Sequence, residues 1–244
     1  MKIIFLGVGE AFDENLPNNS QLIITEKTKL LLDCGFTVPS QLWKYNPDPN
    51  FLDAIYISHQ HADHYFGLPP VLTRMWEDGR QRDLTVITQK GLQDFTDYAY
   101  KDFGKKFKYK IILLEPEENK VIEFNDLKLF FQKTIHSREN LAIKINNEEK
   151  SMVYSGDGAP QEIDDFYKNL DLLISETYLY DKEIIGHSSI VSAIKFAEKN
   201  DVKCLALTHM NRNFRKNELE KVIDEIKSDK IKIIIPEPLD EYSL

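Results

Sequence analysis

The sequence predicts an α/β fold, a four-layer αββα sandwich of two mixed β-sheets, and three observations predict it. Both halves of the chain mix hairpin-like strand pairs with longer crossovers that carry helical patterns. No low-complexity linker or internal repeat divides the chain, so residues 1–244 are expected to form one domain. Strand candidates from both halves end alike, in an apolar run that delivers a carboxylate or an imidazole.

Periodicity in the first half gives strands at Lys2 to Leu6, Gln21 to Thr25 and Leu30 to Asp33, then a short helix from Pro39 to about Tyr45. Proline suits a first helical turn, and "NPDPN" forces the stop. A strand at Ala54 to Ser58, a helix near Pro69 to Glu77, a strand at Leu84 to Thr88 and a helix over Gly91 to Lys101 follow. The second half opens with strands near Lys110 to Leu114, Lys120 to Phe124 and Leu127 to Thr134, the last two joined as a hairpin by Asn125-Asp126. Strands at Leu141 to Ile145 and Met152 to Ser155 come next. The remainder alternates: helix Gln161 to Tyr167, strand Leu172 to Ser175, helix Ser189 to Glu198, strand Cys204 to Thr208, helix Asn217 to Lys227, strand Lys232 to Ile235.

A formal charge of −9 argues against a long polyanion as partner unless basic residues gather on one face. The apolar run Ile3 to Leu6 is too short for a signal peptide, and no stretch approaches a membrane span, so a cytoplasmic protein without membrane contact is expected. Cys34 and Cys204 both sit in or beside apolar strand patterns and read as inert packing.

The chemistry concentrates in "AIYISHQHADH", where three of the chain's six histidines fall within six positions. His59 and His61, at i and i+2 of an extended segment, point to the same side, while Asp63 and His64 follow as the chain turns and point elsewhere. One short segment can therefore serve two adjacent cations. "LLLDCG" supplies Asp33, "LFFQKTIH" His136, "SMVYSGD" Asp157, "LLISE" Glu176 and "CLALTH" His209. Any one of these alone reads as an ordinary strand-end residue; together they point to one rim, because ligands of open α/β sheets bind beyond the carboxyl ends of strands. Imidazoles and carboxylates suit zinc, and also manganese or iron. Two divalent cations held roughly 3.5–4 Å apart need an anionic bridge, for which Asp157 is the candidate, together with a shared hydroxide as nucleophile.

This pattern, His59, His61, Asp63, His64, then His136, Asp157 and His209, resembles the signature of the metallo-β-lactamase superfamily in full order and number. The resemblance implies the αββα fold, one metal on His59, His61 and His136, a second on Asp63, His64 and His209, Asp157 between them, and Asp33 orienting a ligand histidine. An aspartate bridge leans away from true β-lactamases. "SETYLYDKEIIGHSS" looks like the ribonuclease Z pattern, in which a glutamate and a histidine, here Glu176 and His187, pair ahead of the last metal histidine. By that likeness Asp63, Glu176 and His187 are catalytic: His187, held by Glu176, would protonate the leaving alkoxide and Asp63 would orient or deprotonate the nucleophile. Read without the resemblance, His187 is a turn residue before a helix capped by Ser188 or Ser189.

Departures from that branch bear on substrate. Enzymes of this kind that process transfer RNA carry an arm between the third histidine motif and the bridging aspartate, and the 21 positions from His136 to Asp157 leave no room for one. The first loop, "GVGEAFDENLPNNS", carries Glu10, Asp13 and Glu14 and no basic residue. Transfer RNA is accordingly not expected, and a smaller phosphodiester, a small or cyclic nucleotide or a short RNA, is. "YKDFGKKFKYK" at 100–110 has a composition that can serve single strands but more often marks a solvated face. Arg138 and Arg212 lie close enough to ligand candidates to meet a substrate anion, and Tyr178 and Tyr180 could line the mouth. Two alternatives stand beside the phosphodiesterase: a thioester or lactone hydrolase using the same metals, and a metal-bound sensor without turnover. Dimers are common among such relatives, so a homodimer is open to the chain.

Overall fold

The computed structural model describes residues 1–91, 108–161 and 165–244. In chain order, the first half comprises β1 (Lys2–Gly7), β2 (Ser20–Ile24), β3 (Lys29–Leu32), α1 (Val38–Tyr45), β4 (Ala54–Tyr56), α2 (Ala62–Tyr65), α3 (Leu68–Glu77), β5 (Leu84–Ile87) and β6 (Ile111–Leu114). The second half comprises β7 (Ile122–Phe124), β8 (Leu127–Lys133), β9 (Leu141–Asn146), β10 (Ser151–Tyr154), β11 (Leu172–Glu176), α4 (Ile190–Lys199), β12 (Cys204–Thr208), α5 (Arg212–Asn217), α6 (Leu219–Val222), a 3₁₀ turn (Ile223–Glu225), β13 (Lys232–Ile234) and β14 (Glu241–Ser243).

The strands form two seven-stranded sheets, ordered β14-β1-β2-β3-β4-β5-β6 and β13-β12-β11-β10-β9-β8-β7. In the first, β14, β1, β2 and β3 pair antiparallel and β3 to β6 pair parallel. The second mirrors it, with β10 to β13 parallel and β7 to β10 antiparallel. The near-continuous apolar strands follow from burial on both faces. In β1, Ile3 and Phe5 point between the sheets, where they join Leu129, Phe131, Ile143 and Ile174, while Ile4 points outward under α1 and α3 with Leu42, Val71 and Leu72. The outer face of the second sheet is covered by Ile190, Ala193 and Ala197 of α4 and by Phe214 of α5, against Val153, Leu173 and Leu205. Four layers result, as the patterning implied.

The differences from the sequence expectation are local. The helix expected at Gly91 to Lys101 lies outside the described residues apart from its first residue, as do Lys101, Lys105 and Lys106 of the basic run. In the helix expected at Gln161 to Tyr167, residues 162–164 lie outside the described ones, and 165–169 form a turn closed by Asn169 at φ 55°. The helix expected from Asn217 begins instead at Arg212, because the Asn211 side chain accepts from the backbone N of Asn213 and Phe214 at 2.9 and 3.1 Å. It breaks at Glu218, whose φ is −127°. The four-residue α2 and three-residue β14 are too short for a periodic signal.

Parallel strands end on the same side, which decides where the polar residues fall. Asp33 and the histidine segment follow β3 and β4; Asp157, Glu176 and His209 end or follow β10, β11 and β12. Strand β8 runs antiparallel to β9 and β9 to β10, so β8 shares the direction of β10 and His136 emerges on the same side. The sheets are stitched there by Tyr56 Oη donating to Leu141 O (2.6 Å) and Leu141 N donating to Ser58 O (3.1 Å).

Just beyond the C-terminal end of α3, Arg80 is 1% exposed and makes no carboxylate hydrogen bond among the described residues. Its guanidinium donates to the carbonyls of Pro49 (2.7 Å), Leu52 (2.8 Å), Arg82 (2.7 Å) and Asp83 (2.9 Å). Replacing it strands four carbonyls in a low-dielectric site. Arg80→Met is therefore expected to lower the unfolding free energy by roughly 3 kcal/mol or more, measured by urea denaturation; a loss within about 0.5 kcal/mol, the range of ordinary surface substitutions, would show that the loop does not need this pin.

Candidate metal centre

Each element delivers its side chain through a backbone arrangement visible in the bonds around it. Residues 58–61 remain extended after β4, with His61 at φ −89°, ψ 148°, before α2 starts. The i, i+2 relation thus holds in space: the rings of His59 and His61 lie 4.6 Å apart. The α2 turn then swings Asp63 and His64 inward, both buried. Gly35 lets the loop after β3 pass against it, since a Cβ there would come within 1.8 Å of the Asp63 carbonyl oxygen.

His209 sits at φ 58° and Asp33 at φ 57°, left-handed conformations that non-glycine residues seldom adopt and that histidine and aspartate tolerate better than most. His209 is held there by its N–H donating to Val8 O at 2.8 Å, and Asp33 by its N–H donating to Tyr56 O at 2.8 Å. The Asp157 loop is pinned by Asn140, fully buried. Its Nδ2 lies 2.7 Å from Thr134 Oγ1, 2.8 Å from Ser155 O and within reach of Asp157 O, and its Oδ1 accepts from Asp157 N at 3.3 Å. Gly156, at φ 61°, completes the turn; a Cβ there would meet Asn140 Oδ1 at 2.3 Å and Ser58 Cβ at 2.7 Å.

Seven side chains converge in two groups: His59, His61 and His136, the latter two half-buried, and the buried Asp63, His64, Asp157 and His209, with potential ligand atoms within 4.8 Å of one another in each group. The hydrogen bonds set the tautomers. Asp33 Oδ2 accepts from His64 Nδ1 at 2.7 Å, and the Gly186 carbonyl accepts from His136 Nδ1 at 3.0 Å. Ser58 Oγ spends its proton on Asp33 Oδ2 (2.7 Å) and so accepts from His59 Nδ1 (3.1 Å). Each Nδ1 is thereby engaged, and Nε2 is the nitrogen that each of the three rings turns into the site. Nε2 of His59 and of His136 face His61 Nδ1 at 3.0 and 3.2 Å, three imidazole nitrogens turned on one point.

In the second group, His64 Nε2 lies 3.2 Å from Asp63 Oδ2 and 3.3 Å from Asp157 Oδ1, and His209 Nε2 lies 3.5 Å from Asp63 Oδ2 and 3.4 Å from Asp157 Oδ2. His64 Nε2, Asp157 Oδ1 and His209 Nε2 are buried and have no hydrogen-bond partner among the described residues. Burial opposes ionisation of both aspartates, yet the surrounding imidazoles hold their carboxyls far below the usual range. Burial likewise opposes protonation of His209, but Asp157 and Asp63 raise it to about 9, while burial and neighbouring imidazoles push His59 and His61 down. Neutral imidazoles on one side and a buried carboxylate pair on the other, with donor atoms converging and unsatisfied, fit divalent cations of the zinc type.

Beside the second group, Glu176 Oε2 accepts from His187 Nδ1 at 3.3 Å, and its Oε1 accepts from Ser188 N at 2.8 Å. Burial lowers the His187 pKa, but the bond to Glu176 together with the charges of Glu176 and Asp157 outweighs it and the net shift is upward. Helix α4 is capped by Ser189, through a capping box with Ser192, so the cap does not require His187. Tyr178 stacks on His187 with ring centroids 4.8 Å apart. Tyr180 instead donates its hydroxyl to Glu225 at 2.8 Å, which ties it to the helical layer rather than the mouth. Arg138 is exposed. Arg212 is already paired with Glu10, Arg215 with Asp13 (2.7 to 3.0 Å) and Lys216 with Glu14, so the acidic first loop is clasped by α5. Sequence reasoning missed Asn140, which read as a loop residue, Ser58, and Tyr154, whose Oη donates to Asp33 Oδ2 at 2.7 Å.

The sequence model of the family described as "Anti-Pycsar protein Apyc1" matches residues 1–229. Ribonuclease Z of Sulfolobus acidocaldarius is 27% identical over 100% of this chain and 98% of its own length. The metallo-β-lactamase fold protein YhfI from Bacillus subtilis has a TM-score of 0.82 at 25% identity, covering 99% of this chain and 98% of that one. The short form of human tRNase Z has a TM-score of 0.81 at 21% identity, covering 100% and 99%, a likeness of fold.

The clasp on the first loop has a pH signature. Burial raises the Asp13 pKa, but bonds from Asn15 N and Arg215 lower it further, for a net value below the ordinary one. A depressed folded pKa gives stability that is fully present above the unfolded value near 4 and lost as pH falls through the folded one. Asp13→Asn is expected to cost about 2 kcal/mol at pH 7 and progressively less below pH about 4; a cost independent of pH would show that the charge on Asp13 does not matter.

Proposed function

The chain belongs to the anti-Pycsar protein Apyc1 family, within the ribonuclease Z and phosphodiesterase branch of the metallo-β-lactamase superfamily, and on that footing we propose that it is a metal-dependent hydrolase of small phosphodiesters. The observation that carries the proposal is the buried set Asp63, His64, Asp157 and His209, whose unsatisfied donor atoms converge beside a second set of three imidazole nitrogens. His59, His61 and His136 would hold one cation, Asp63, His64 and His209 another, and Asp157 would serve both. Bound there, a pair of divalent cations, zinc foremost and manganese or iron by the same donor chemistry, supplies Lewis acidity towards the phosphoryl oxygens and lowers the pKa of a water.

The chain's own groups do the rest. Asp33, Ser58 and Gly186 hold the imidazoles in the tautomers that keep the converging nitrogens bare. Asp63, kept ionised by the imidazoles around it, orients the attacking water or takes up its proton. His187, whose protonated form is favoured by Glu176, stabilises in that form the developing charge on phosphorus-bound oxygen and gives its Nε2 proton to the leaving alkoxide. The π face of Tyr178 against this imidazole favours the cationic form further.

Substrate size is inferred from two features. The connection between His136 and Asp157 is a β-hairpin, β9 and β10, with no excursion that could hold a folded RNA. The bases of α5 that could meet a polyanion are neutralised by the first loop. A small or cyclic nucleotide fits this arrangement better than transfer RNA.

The test is purified protein of measured metal content, assayed on bis(p-nitrophenyl) phosphate and on cyclic nucleotides. About two cations per chain are expected, with activity lost to a chelator and restored by zinc or manganese. Asp157→Ala should lose both metal and turnover. His187→Ala should keep its metal and lose roughly 10²–10⁴-fold in kcat on the cyclic nucleotides, the range for a general acid. Turnover of thioesters alone would replace this reading with a thioesterase, and metal without turnover of either class would leave a sensor.

A further inference from the structure

Both ligand groups are assembled across the junction of the two sheets. Asp63 and His64 follow β4 in the first sheet, whereas Asp157 and His209 follow β10 and β12 in the second. The 3.3 Å between His64 Nε2 and Asp157 Oδ1 is therefore set by neither sheet alone. The ties that hold the junction differ from one group to the other. Beside His59 they end on backbone, Tyr56 Oη donating to Leu141 O and Leu141 N to Ser58 O. Beside His64 the tie is a row of side chains. Gln21 Nε2 donates to Asn19 Oδ1 (2.7 Å), Asn19 Nδ2 to Tyr154 Oη (3.4 Å), and Tyr154 Oη to Asp33 Oδ2 (2.7 Å), the oxygen that also accepts from His64 Nδ1 (2.7 Å). All five residues are at most 1% exposed. A carboxylate only accepts, so the Tyr154 hydroxyl gives its proton to Asp33 and offers its lone pair to Asn19. Tyr154 is the last residue of β10, three positions before Asp157. The strand that delivers Asp157 thus also grips the carboxylate that orients His64.

From this arrangement, and resting on the metal-dependent reading above, we propose that Tyr154 is a positioning residue for the group of Asp63, His64, Asp157 and His209 and not for the tri-histidine group: its hydroxyl fixes His64 against Asp157 across the two sheets. Without that hydroxyl, Asp33 keeps the bonds from Ser58 and His64, all within the first sheet, and the second sheet loses the bond by which it holds that carboxylate. The spacing of His64 and Asp157 then loosens. The tri-histidine group keeps its own ties, because Ser58, which meets His59, stays bonded to Leu141. Tyr154 acts at one remove, through a carboxylate and an imidazole. Loss of such an outer partner lowers metal affinity about 10–100-fold.

Zinc titration of the metal-free protein against a chromophoric chelator tests this, with urea unfolding of the metal-free chains and bis(p-nitrophenyl) phosphate turnover measured alongside. His136→Ala leaves the group of Asp63, His64, Asp157 and His209 as the complete set, and His209→Ala leaves the tri-histidine set. Adding Tyr154→Phe is expected to weaken zinc binding about 10–100-fold in the first background and to leave the second unchanged. Equal weakening in both backgrounds, or none in either, overturns the proposal. Tyr56→Phe removes another buried hydroxyl of the same junction and should destabilise the metal-free chain without weakening the group that holds His64; if it weakens that group as much as Tyr154→Phe does, the effect is lost packing and the proposal fails. Asn19→Ala breaks the row one link earlier and should give a smaller loss in the same group. Should Tyr154→Phe not fold, an Asn19→Ala chain with undiminished zinc affinity overturns the proposal by itself. An unsubstituted chain that binds two cations yet cleaves no phosphodiester overturns the hydrolase reading and not the role of Tyr154; one that binds no cation overturns both.

Discussion

The buried carboxylate of Asp33 is the interaction on which the rim depends. It is wholly out of water, in a left-handed backbone conformation, and accepts from Ser58 N (2.7 Å), Ser58 Oγ (2.7 Å), His64 Nδ1 (2.7 Å) and Tyr154 Oη (2.7 Å). An unpaired carboxylate in such a place would cost several kcal/mol, so its four donors are held as firmly as it is. Three of those donors belong to the first sheet's histidine segment and the fourth, Tyr154, to the second sheet. One anion thus sets the register of the two sheets at their shared rim and, through Ser58 and His64, the proton positions of imidazoles in both groups.

The two groups differ in kind. The tri-imidazole set is partly open to solvent and contains no carboxylate; the other is sealed, holds two carboxylates beside two imidazoles and adjoins the Glu176–His187 pair. His187 adjoins both, its ring 5.3 Å from that of His136 and 6.4 Å from that of His209. The difference between the groups explains why rigid support gathers on the sealed side, where Asn140 and Gly156 fix the Asp157 loop and the β1 carbonyl of Val8 fixes His209. Unsatisfied charge there is costly, and mobility would let water in.

The fold was legible because the central strands are buried apolar runs, several with a polar residue at the end, and strand order then brings those ends together. The histidine cluster was legible because the extended segment preserves the two-residue period. What escaped has a common physical cause: dependence on partners distant in sequence. Asn140 reads as a hairpin residue until Asp157 is seen beside it, and Tyr154 as core until Asp33 is. Arg212 reads as a free cation for a substrate until Glu10, at the other end of the chain, is found against it. The α5–α6 break escaped for a different reason, since an amphipathic pattern carries no mark of the one residue that leaves helical dihedrals.

The antiparallel pairing of β1 with β14, Lys2 against Ser243 and Ile4 against Glu241, covers an edge of the first sheet with a strand that follows the whole second sheet in the chain. During synthesis, β1 through β6 can assemble while that edge still presents bare amides and carbonyls. The nascent domain therefore passes through a stage with an unprotected template for foreign strands, and the exposure ends only when β14, made after the strands of the second sheet, pairs with β1.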